Sequence, residues 1–278
     1  MPPLGGVLYG GIMVATSSRD SAFDWRGATP DEVDHEYSPS QHSQRPLPEY
    51  LAEYHALSSG HDAAALRKAG NPLLVYIHGG YWQKLSAADS LFNAVDAMAE
   101  DVSLHAVEYT IAPHASIVAL VEEFVADVVR VVEVLAPSRV VLAGCSAGAH
   151  LGAMCARDSR VAPLLSGIVL LSGIYDLRPL IVTSINEVLG LDTERAELLS
   201  PLLLAHSAVV SDALLAVGEH ESGEFIRQNS EYSDYLRRQR TRVDTIVVEH
   251  RDHFDLPYDL LKRGTLVGNW TLGTLGRD

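Results

Sequence analysis

The chain has 278 residues, enough for one large α/β domain or two small ones. Hydrophobic residues make up 47% of it and charged residues 21%, proportions typical of a globular protein with a sizeable core. The formal net charge of −15 argues against nucleic acid or an anionic membrane as a partner, because both require a basic surface.

The chain contains two cysteines, Cys145 and Cys155, which are too few for a disulfide framework. We therefore expect reduced thiols and a cytoplasmic location. The first residues lack the basic and apolar regions of a signal peptide, and no apolar run approaches the ~20 residues of a membrane span. These features predict a soluble protein that does not bind membranes.

Residues 1 to about 70 are polar and irregular, with prolines that break any long element and a short helix expected over 50–57. From residue 73 onward, apolar runs suited to buried strands alternate with patterns suited to helices. The predicted strands cover residues 73–77, 102–108, 139–143, 168–172, 213–217 and 245–249. The predicted helices cover residues 86–100, 116–135, 147–157 and 224–240, and a last helix begins near residue 256.

Strands that alternate with helices predict an α/β fold, with a doubly wound, mostly parallel sheet and helices on both faces. The alternation is interrupted between residues 175 and 208 by a mixed stretch that contains Pro179 and Pro201. Such an insertion tends to lie over the carboxyl ends of the strands, where ligands bind. We therefore expect a single domain over 1–278, in which residues 1–70 and 175–208 form a small cap.

The stretch Gly144-Cys145-Ser146-Ala147-Gly148 joins a predicted strand to a predicted helix and matches the pattern G-x-S-x-G. A serine at the tip of such a tight turn has a strained backbone, and larger residues at positions 144 and 148 would collide with the neighbouring strand and helix. The turn exposes the hydroxyl and directs it towards the free N–H groups at the start of the helix. Ser146 is therefore the candidate nucleophile.

A serine hydroxyl needs a base that takes its proton and a carboxylate that orients this base. After a nucleophile turn of this kind, the acid and then the histidine follow along the chain. The base is expected after the last strand. His253 lies in the loop between that strand and the final helix, and we prefer it over His250, which is closer to the end of the strand.

The acid is expected after the preceding strand, where Glu219 and Glu221 compete. Glu221 lies further into the loop and can reach across to the imidazole, so it is the preferred acid. Glu219 is expected to point away or to pair at the surface. Asp252 and Asp255 remain as alternatives.

The developing negative oxygen needs two or more backbone N–H groups as donors. Ala147, which follows the nucleophile, supplies one of them. The loop His78-Gly79-Gly80-Tyr81-Trp82 follows the first predicted strand and supplies others from Gly79 and Gly80, where the main chain can approach a substrate closely. His78 is expected to brace this loop rather than to transfer protons.

Tyr81, Trp82 and Tyr175 are candidates for lining an aromatic pocket, because an aryl substrate stacks on such side chains. The alternative is that they pack inside the cap. His150 is expected to be a packed, hydrogen-bonded histidine. The histidines at positions 35, 42, 55 and 61 lack the spacing of metal ligands, so no metal and no cofactor is expected.

Taken together, these motifs resemble the kynurenine formamidase (arylformamidase) branch of the α/β hydrolases, close to the hormone-sensitive-lipase-like esterases. The loop over 78–82 looks like the H-G-G-x-W signature of that branch, and the segments 36–40, 172–177 and 218–225 are similar as well. The resemblance implies a catalytic triad formed by Ser146, Glu221 and His253. It also implies an oxyanion hole formed by Gly79, Gly80 and Ala147. One departure is Glu221, since this branch usually carries aspartate there and glutamate is one methylene longer.

The resemblance implies hydrolysis of an N-formyl arylamine, with N-formyl-L-kynurenine as the leading substrate. A carboxylesterase for short acyl or aryl esters would use the same catalytic groups with a different pocket. A non-catalytic binding protein on the same fold is a third hypothesis, but such proteins have typically lost a triad member, and all three positions are filled here. The expected partner is a small aryl formamide or ester, and a homodimer is the oligomer considered.

Overall fold

The computed structural model describes residues 8–9, 12–13, 23–205 and 210–277. A short antiparallel hairpin pairs β1 (Leu8–Tyr9) with β2 (Ile12–Met13). The main sheet contains β3 (Leu73–Ile77), β4 (Ser103–Val107), β5 (Val140–Cys145), β6 (Gly167–Leu171), β7 (Asp212–Gly218) and β8 (Arg242–Val248). Its six strands are all parallel, in the order β4-β3-β5-β6-β7-β8. The predicted α/β fold class is confirmed.

Helices alternate with these strands, as the sequence predicted. They are α1 (Pro30–Glu36), α2 (Leu47–Ser58), α3 (Ala94–Ala99), α4 (Ile117–Leu135), α5 (Ala147–Cys155), α6 (Asn186–Leu189), α7 (Thr193–Leu198), α8 (Gly223–Arg238) and α9 (Leu266–Thr274). Short 3₁₀ helices cover Pro39–Gln41, Ala87–Ser90, Ala162–Leu164, Arg178–Val182 and Leu256–Asp259. None of the helices in the described part of the chain is long and apolar enough to cross a membrane.

The central strands β3, β5 and β6 are buried along their whole length, because helices cover both faces of the sheet. Successive residues of β3 point to opposite faces. Val75 and Ile77 belong to the core that α4, α5 and α8 cover, whereas Leu74 and Tyr76 belong to the core that α3 and α9 cover. A continuous apolar run is therefore what a central strand of this sheet requires.

The predicted helix over 86–100 is two separate pieces, the 3₁₀ helix Ala87–Ser90 and α3. Ser86 caps the first piece, where its side chain accepts a hydrogen bond from the backbone N–H of Asp89. Between the pieces, Phe92 and Asn93 are buried, and the Asn93 side chain donates to the carbonyl of Pro257. These long-range contacts override the local preference for a continuous helix.

The last helix begins later than the sequence predicted. A 3₁₀ turn occupies Leu256–Asp259, and α9 begins after Thr265, whose side chain accepts from the N–H of Gly268. Gly264 lies between the two elements with a φ of +87°, a conformation that a continuing right-handed helix excludes.

Parts of the two predicted cap segments contact each other. Asp34 in α1 accepts hydrogen bonds from the backbone N–H and the hydroxyl of Ser184, at 2.7 and 2.8 Å. Residues 206–208 of the predicted insertion, and residues 1–7, 10–11 and 14–22 of the N-terminal segment, lie outside the described residues. The division of the chain into one domain with a two-part cap stays a prediction.

Helix α5 approaches the end of β3 closely. A β-carbon on Gly148 would lie 2.2 Å from the carbonyl oxygen of Ile77 and 2.6 Å from that of His78. A β-carbon on Gly152, one turn later in the same helix, would lie 3.4 Å from the side chains of Ile77 and Leu170. Position 148 therefore requires glycine for packing, whereas position 152 has room for a methyl group.

This difference predicts opposite effects of two similar substitutions. Gly148→Ala should lower the free energy of unfolding by about 3 kcal/mol, because backbone atoms of β3 would have to move. Gly152→Ala should leave stability unchanged or raise it by up to about 1 kcal/mol, since alanine is the better helix former. Urea unfolding of both variants tests the packing, and equal losses would contradict it.

Candidate active site

Ser146 lies in the turn between β5 and α5 with φ of 57° and ψ of −122°, a backbone conformation that residues other than glycine rarely adopt. The turn is held by the Ser146 backbone N–H, which donates to the carbonyl of Leu171 at 2.9 Å. Its tightness explains the glycine at position 144, where a β-carbon would lie 2.4 Å from the carbonyl oxygen of Gly148. The sequence folds into this strained turn because small residues flank the serine.

His253 and Glu221 form a buried pair. The His253 Nδ1 atom lies 2.8 Å from Oε2 of Glu221, and the two side chains are 6% and 1% exposed. These residues follow different strands, β8 and β7, whose last residues Val248 and Gly218 pair in register. Because the carboxylate engages Nδ1, Nε2 is the ring nitrogen left to exchange a proton with a nucleophile.

The other carboxylate oxygen of Glu221 is also fixed. Oε1 accepts hydrogen bonds from the hydroxyl of Ser172 at 2.5 Å and from the backbone N–H of Gly218 at 2.8 Å. Both donors orient the acid without touching the imidazole. Ser172 was not identified from the sequence as a residue that orients the acid. Its position could have indicated this role, because it directly follows β6, the strand next to β5, which carries the nucleophile.

The alternative acids have other partners. Glu219 is partly exposed and accepts from the backbone N–H of His250 at 3.0 Å. Asp252 accepts from the backbone N–H groups of Gln44 and Phe254 and from the hydroxyl of Tyr50. The carboxylate of Asp255 accepts from the N–H of Asp252.

The alternative base has a different environment as well. The His250 side chain is 87% exposed and lies near Glu219, with 3.8 Å between its Nδ1 and the carboxylate. Its backbone has a φ of 60°, so the chain turns sharply between β8 and His253. The structure therefore places His253 in the buried site and His250 at the surface.

The glycine loop after β3 lies against the nucleophile turn. A β-carbon on Gly79 would lie 3.0 Å from the carbonyl oxygen of Cys145 and 3.1 Å from Cβ of Ser146. Gly80 has a φ of +92°. Within residues 23–205 and 210–277, the backbone N–H groups of Gly79, Gly80 and Ala147 have no protein acceptor. They are thus available to a negative oxygen next to Ser146.

His78 and Tyr109 brace this loop. The His78 Nδ1 atom lies 3.0 Å from the carbonyl oxygen of Gly79, and the Tyr109 ring stacks on the imidazole at 4.2 Å. The Tyr109 hydroxyl donates to the carbonyl oxygen of His78 at 3.0 Å. Burial lowers the pKa of His78, which keeps the ring neutral and able to donate from Nδ1.

A cavity of about 610 Å³ opens onto these groups, and its lining includes Ser146, His253, Gly79 and Gly80. This volume lies in the range of sites for small molecules. Much of the wall is aromatic, with Tyr54, Tyr76, Phe92 and Phe254 as members that the sequence did not identify. These four come from separate parts of the chain, and only the fold brings them together.

The structure places the three predicted aromatic pocket residues in different positions relative to the cavity. Tyr81 lines the cavity, and its hydroxyl donates to the carbonyl of Tyr37 at 2.6 Å. Trp82 and Tyr175 are fully buried and lie outside the cavity lining, which favours a packing role over the expected pocket role. Tyr175 stacks on Tyr232 with ring centroids 4.1 Å apart.

His150 is a packed histidine. Its Nε2 donates to the carbonyl of Leu199 at 2.8 Å, and its ring contacts the edge of Trp82 with centroids 5.0 Å apart. Burial lowers the pKa of His150 to about 4. The imidazole is therefore neutral and serves the structure rather than the chemistry.

Neither cysteine is paired, and Cys145 lines the cavity next to Ser146. Burial raises the pKa of the Cys145 thiol well above its usual value, so it is a poor nucleophile. In the described part of the chain, one group of possible metal ligands, Glu219, His220 and His250, has its donor atoms within 4.8 Å of one another. These residues lie outside the cavity lining.

The chain is similar to several known proteins. A family model described as alpha/beta hydrolase fold matches residues 74–254. Kynurenine formamidase from Danio rerio is 32% identical over 290 residues, which cover 91% of this chain and 99% of that protein. Kynurenine formamidase from Salmo salar is 32% identical over 269 residues, which cover 84% of this chain and 92% of that protein.

A solved structure is similar as well. The crystal structure of a proposed thioesterase from Silicibacter sp. TM1040 has a TM-score of 0.76 at 22% identity. The match covers 86% of this chain and 98% of that chain, and at this identity it shows the fold alone.

The hydrogen bonds of the two glutamates predict unequal effects of the same substitution. Glu221→Gln should lower kcat for p-nitrophenyl acetate by roughly 10³-fold or more, because an amide no longer orients and stabilises a protonated His253. Glu219→Gln is the matched control and should cost less than about tenfold. Steady-state kinetics of both variants distinguishes them, and a larger loss in Glu219→Gln would reverse the assignment.

The buried His150 predicts a pH dependence of stability. Its pKa in the folded protein, about 4, lies below the ordinary value of 6.5, so the unfolded chain binds a proton more readily between these values. The neutral, buried His150 makes its full contribution to the free energy of unfolding above about pH 6.5. That contribution is lost as the pH falls from 6.5 towards 4. His150→Gln, which can still donate to Leu199, should show a shallower fall of unfolding free energy with pH. Equal slopes in chemical denaturation would contradict this origin.

Proposed function

The chain belongs to the α/β-hydrolase superfamily and to its kynurenine formamidase branch, and on that premise we propose that it is a serine hydrolase that cleaves the formamide bond of an N-formyl arylamine. The leading substrate is N-formyl-L-kynurenine, which would yield kynurenine and formate. The observation that carries the proposal is the buried contact of Glu221 with His253, which lines the same cavity as Ser146.

In the first half of the reaction, Nε2 of His253 takes the Ser146 proton while Oγ attacks the formyl carbon. The carbonyl oxygen becomes negative and accepts hydrogen bonds from the amides of Gly79, Gly80 and Ala147. Each of these donors stabilises the transition state by about 3 kcal/mol, the usual effect of an oxyanion donor. The C–N bond then breaks as the protonated His253 gives its proton to the leaving arylamine. Serine keeps the formyl group as an ester.

In the second half, a water molecule gives a proton to His253 and attacks the formyl ester. The same amides stabilise the new oxyanion. The bond to Oγ breaks, the imidazolium returns the proton to Ser146, and formate leaves. Throughout the cycle, Glu221 holds the imidazole in one tautomer and stabilises its charged form, and Ser172 and Gly218 keep the carboxylate in place.

Two features support an aryl formamide as the substrate. The named relatives are kynurenine formamidases that match nearly the whole chain. In addition, the cavity has several aromatic side chains, including Phe92 and Phe254, that can pack against an aryl ring. The aromatic wall favours aryl substrates over purely aliphatic ones.

The proposal predicts a substrate ranking. The purified protein should release the arylamine from N-formyl-L-kynurenine with a much higher kcat/KM than it hydrolyses p-nitrophenyl acetate. Ser146→Ala should abolish both activities, because the nucleophile is lost. Both reactions are followed by the absorbance of their products.

Each outcome has a distinct meaning. A faster reaction with the ester would replace the formamidase assignment by that of a carboxylesterase. Turnover that survives Ser146→Ala would contradict the serine mechanism. Ser222→Ala is not a suitable control because Ser222 caps α8. Ser40→Ala is the matched control, because Ser40 is exposed and lines the cavity, so this variant measures the loss of activity that a serine substitution at the cavity rim causes by itself.

A further inference from the structure

We propose that Lys84 and Asp89 form a subsite for the charged α-amino acid end of the substrate, so that the cavity prefers aryl formamides that carry a zwitterion over neutral ones. The proposal rests on the aryl-formamide activity proposed above and adds the residues that select among such substrates.

The two residues bring opposite charges to the wall of one cavity. Lys84 and Asp89 line the space that Ser146 and His253 line. Among the described lining residues, Lys84 is the one with a permanently cationic side chain and Asp89 is the one with a carboxylate. The remaining wall consists of aromatic and aliphatic side chains, glycines, hydroxyls, Gln83, Cys145 and histidines, and a neutral aryl substrate would require no charged pair.

Lys84 lies on the loop that carries the oxyanion donors. Its backbone N–H donates to the carbonyl of Gly80 at 3.1 Å, so the Cα of Lys84 is fixed one tight turn beyond that glycine. In the part of the chain that the structure describes, no carboxylate lies within 4 Å of Lys84 Nζ. The side chain is exposed and its charge is available to a carboxylate in the cavity.

Asp89 lies between the cavity of Ser146 and a second cavity of about 420 Å³ that His55 lines, and its carboxylate is oriented by neighbouring side chains. Its Oδ2 accepts a hydrogen bond from the hydroxyl of Ser86 at 2.8 Å, and Oδ1 lies 3.4 Å from Nδ1 of His55. The side chain remains 33% exposed, so both oxygens retain lone pairs for another donor. A primary ammonium group fits this carboxylate, because it brings three N–H donors and the opposite charge.

The two charges match an α-amino acid group in sign. A substrate carboxylate would pair with Lys84 and the substrate ammonium with Asp89, while the aryl ring packs on the aromatic wall and the formamide lies at Ser146. Both residues follow the oxyanion glycines within ten positions of the chain, Lys84 in the loop and Asp89 in the 3₁₀ helix Ala87–Ser90, so the segment after β3 would contact both the reacting and the charged ends of the substrate. Pairs that are partly exposed to water contribute modestly, so the expected selectivity is moderate.

The test compares N-formyl-L-kynurenine with N-formyl-2-aminoacetophenone, which has the same aryl formamide but lacks the amino acid group. Lys84→Met and Asp89→Asn should each lower the ratio of the two kcat/KM values by roughly 5- to 10-fold, mainly through a higher KM for N-formyl-L-kynurenine. Lys262→Met is the matched control, because Lys262 is an exposed lysine that does not line the cavity. An unchanged ratio in both variants would overturn the proposal.

A binding measurement separates this proposal from the proposed function. By calorimetry, L-kynurenine should bind the wild type more tightly than 2-aminoacetophenone does, and Lys84→Met and Asp89→Asn should each weaken it by roughly 5- to 10-fold. Such binding without any cleavage of the formamides would support the subsite and overturn the formamidase function. Cleavage of both formamides with unaltered L-kynurenine binding in the variants would support the function and overturn the subsite.

Discussion

The site depends on one packing constraint, which is the close approach of α5 to the end of β3. Because Gly148 has no side chain, the helix after Ser146 lies directly against the carbonyl groups of Ile77 and His78. The register agrees with this contact, since Ile77 lies opposite Gly144 in the neighbouring strand. The amides of Gly79 and Gly80 are thereby brought next to the serine. With a larger residue at position 148, the nucleophile and its oxyanion donors would separate.

Much of this arrangement could be predicted from the sequence, because parallel strands end at the same edge of a sheet. Buried strands are uninterrupted apolar runs, so β3, β5, β6 and β7 were recognisable within one or two residues. The loops after β5, β7 and β8 had to meet, which predicted that Ser146, Glu221 and His253 would lie near one another. The choice of Glu221 over Glu219 depended on reach alone, and in the structure Glu221 is the carboxylate that contacts His253.

The walls of the cavity could not be predicted in the same way, because they depend on side chains that are distant in sequence. Phe92 lines the cavity at a break in the predicted helix, where the neighbouring Asn93 donates a hydrogen bond to the carbonyl of Pro257. Trp82 follows directly after a cavity residue, yet its φ of 60° turns the ring inwards onto His150. Local sequence indicates that such residues are aromatic and buried, but not which side of a loop they occupy.

The loop that carries His253 is tied to the beginning of the chain. Asp252 accepts hydrogen bonds from the backbone of Gln44 and from the hydroxyl of Tyr50, partners that are 208 and 202 positions away. During synthesis the N-terminal segment leaves the ribosome long before its partner exists. These two contacts can form only after residue 252 has emerged. The geometry around the imidazole is thus completed only after all six strands of the main sheet have been synthesised, and a shorter nascent chain has no finished hydrolytic site.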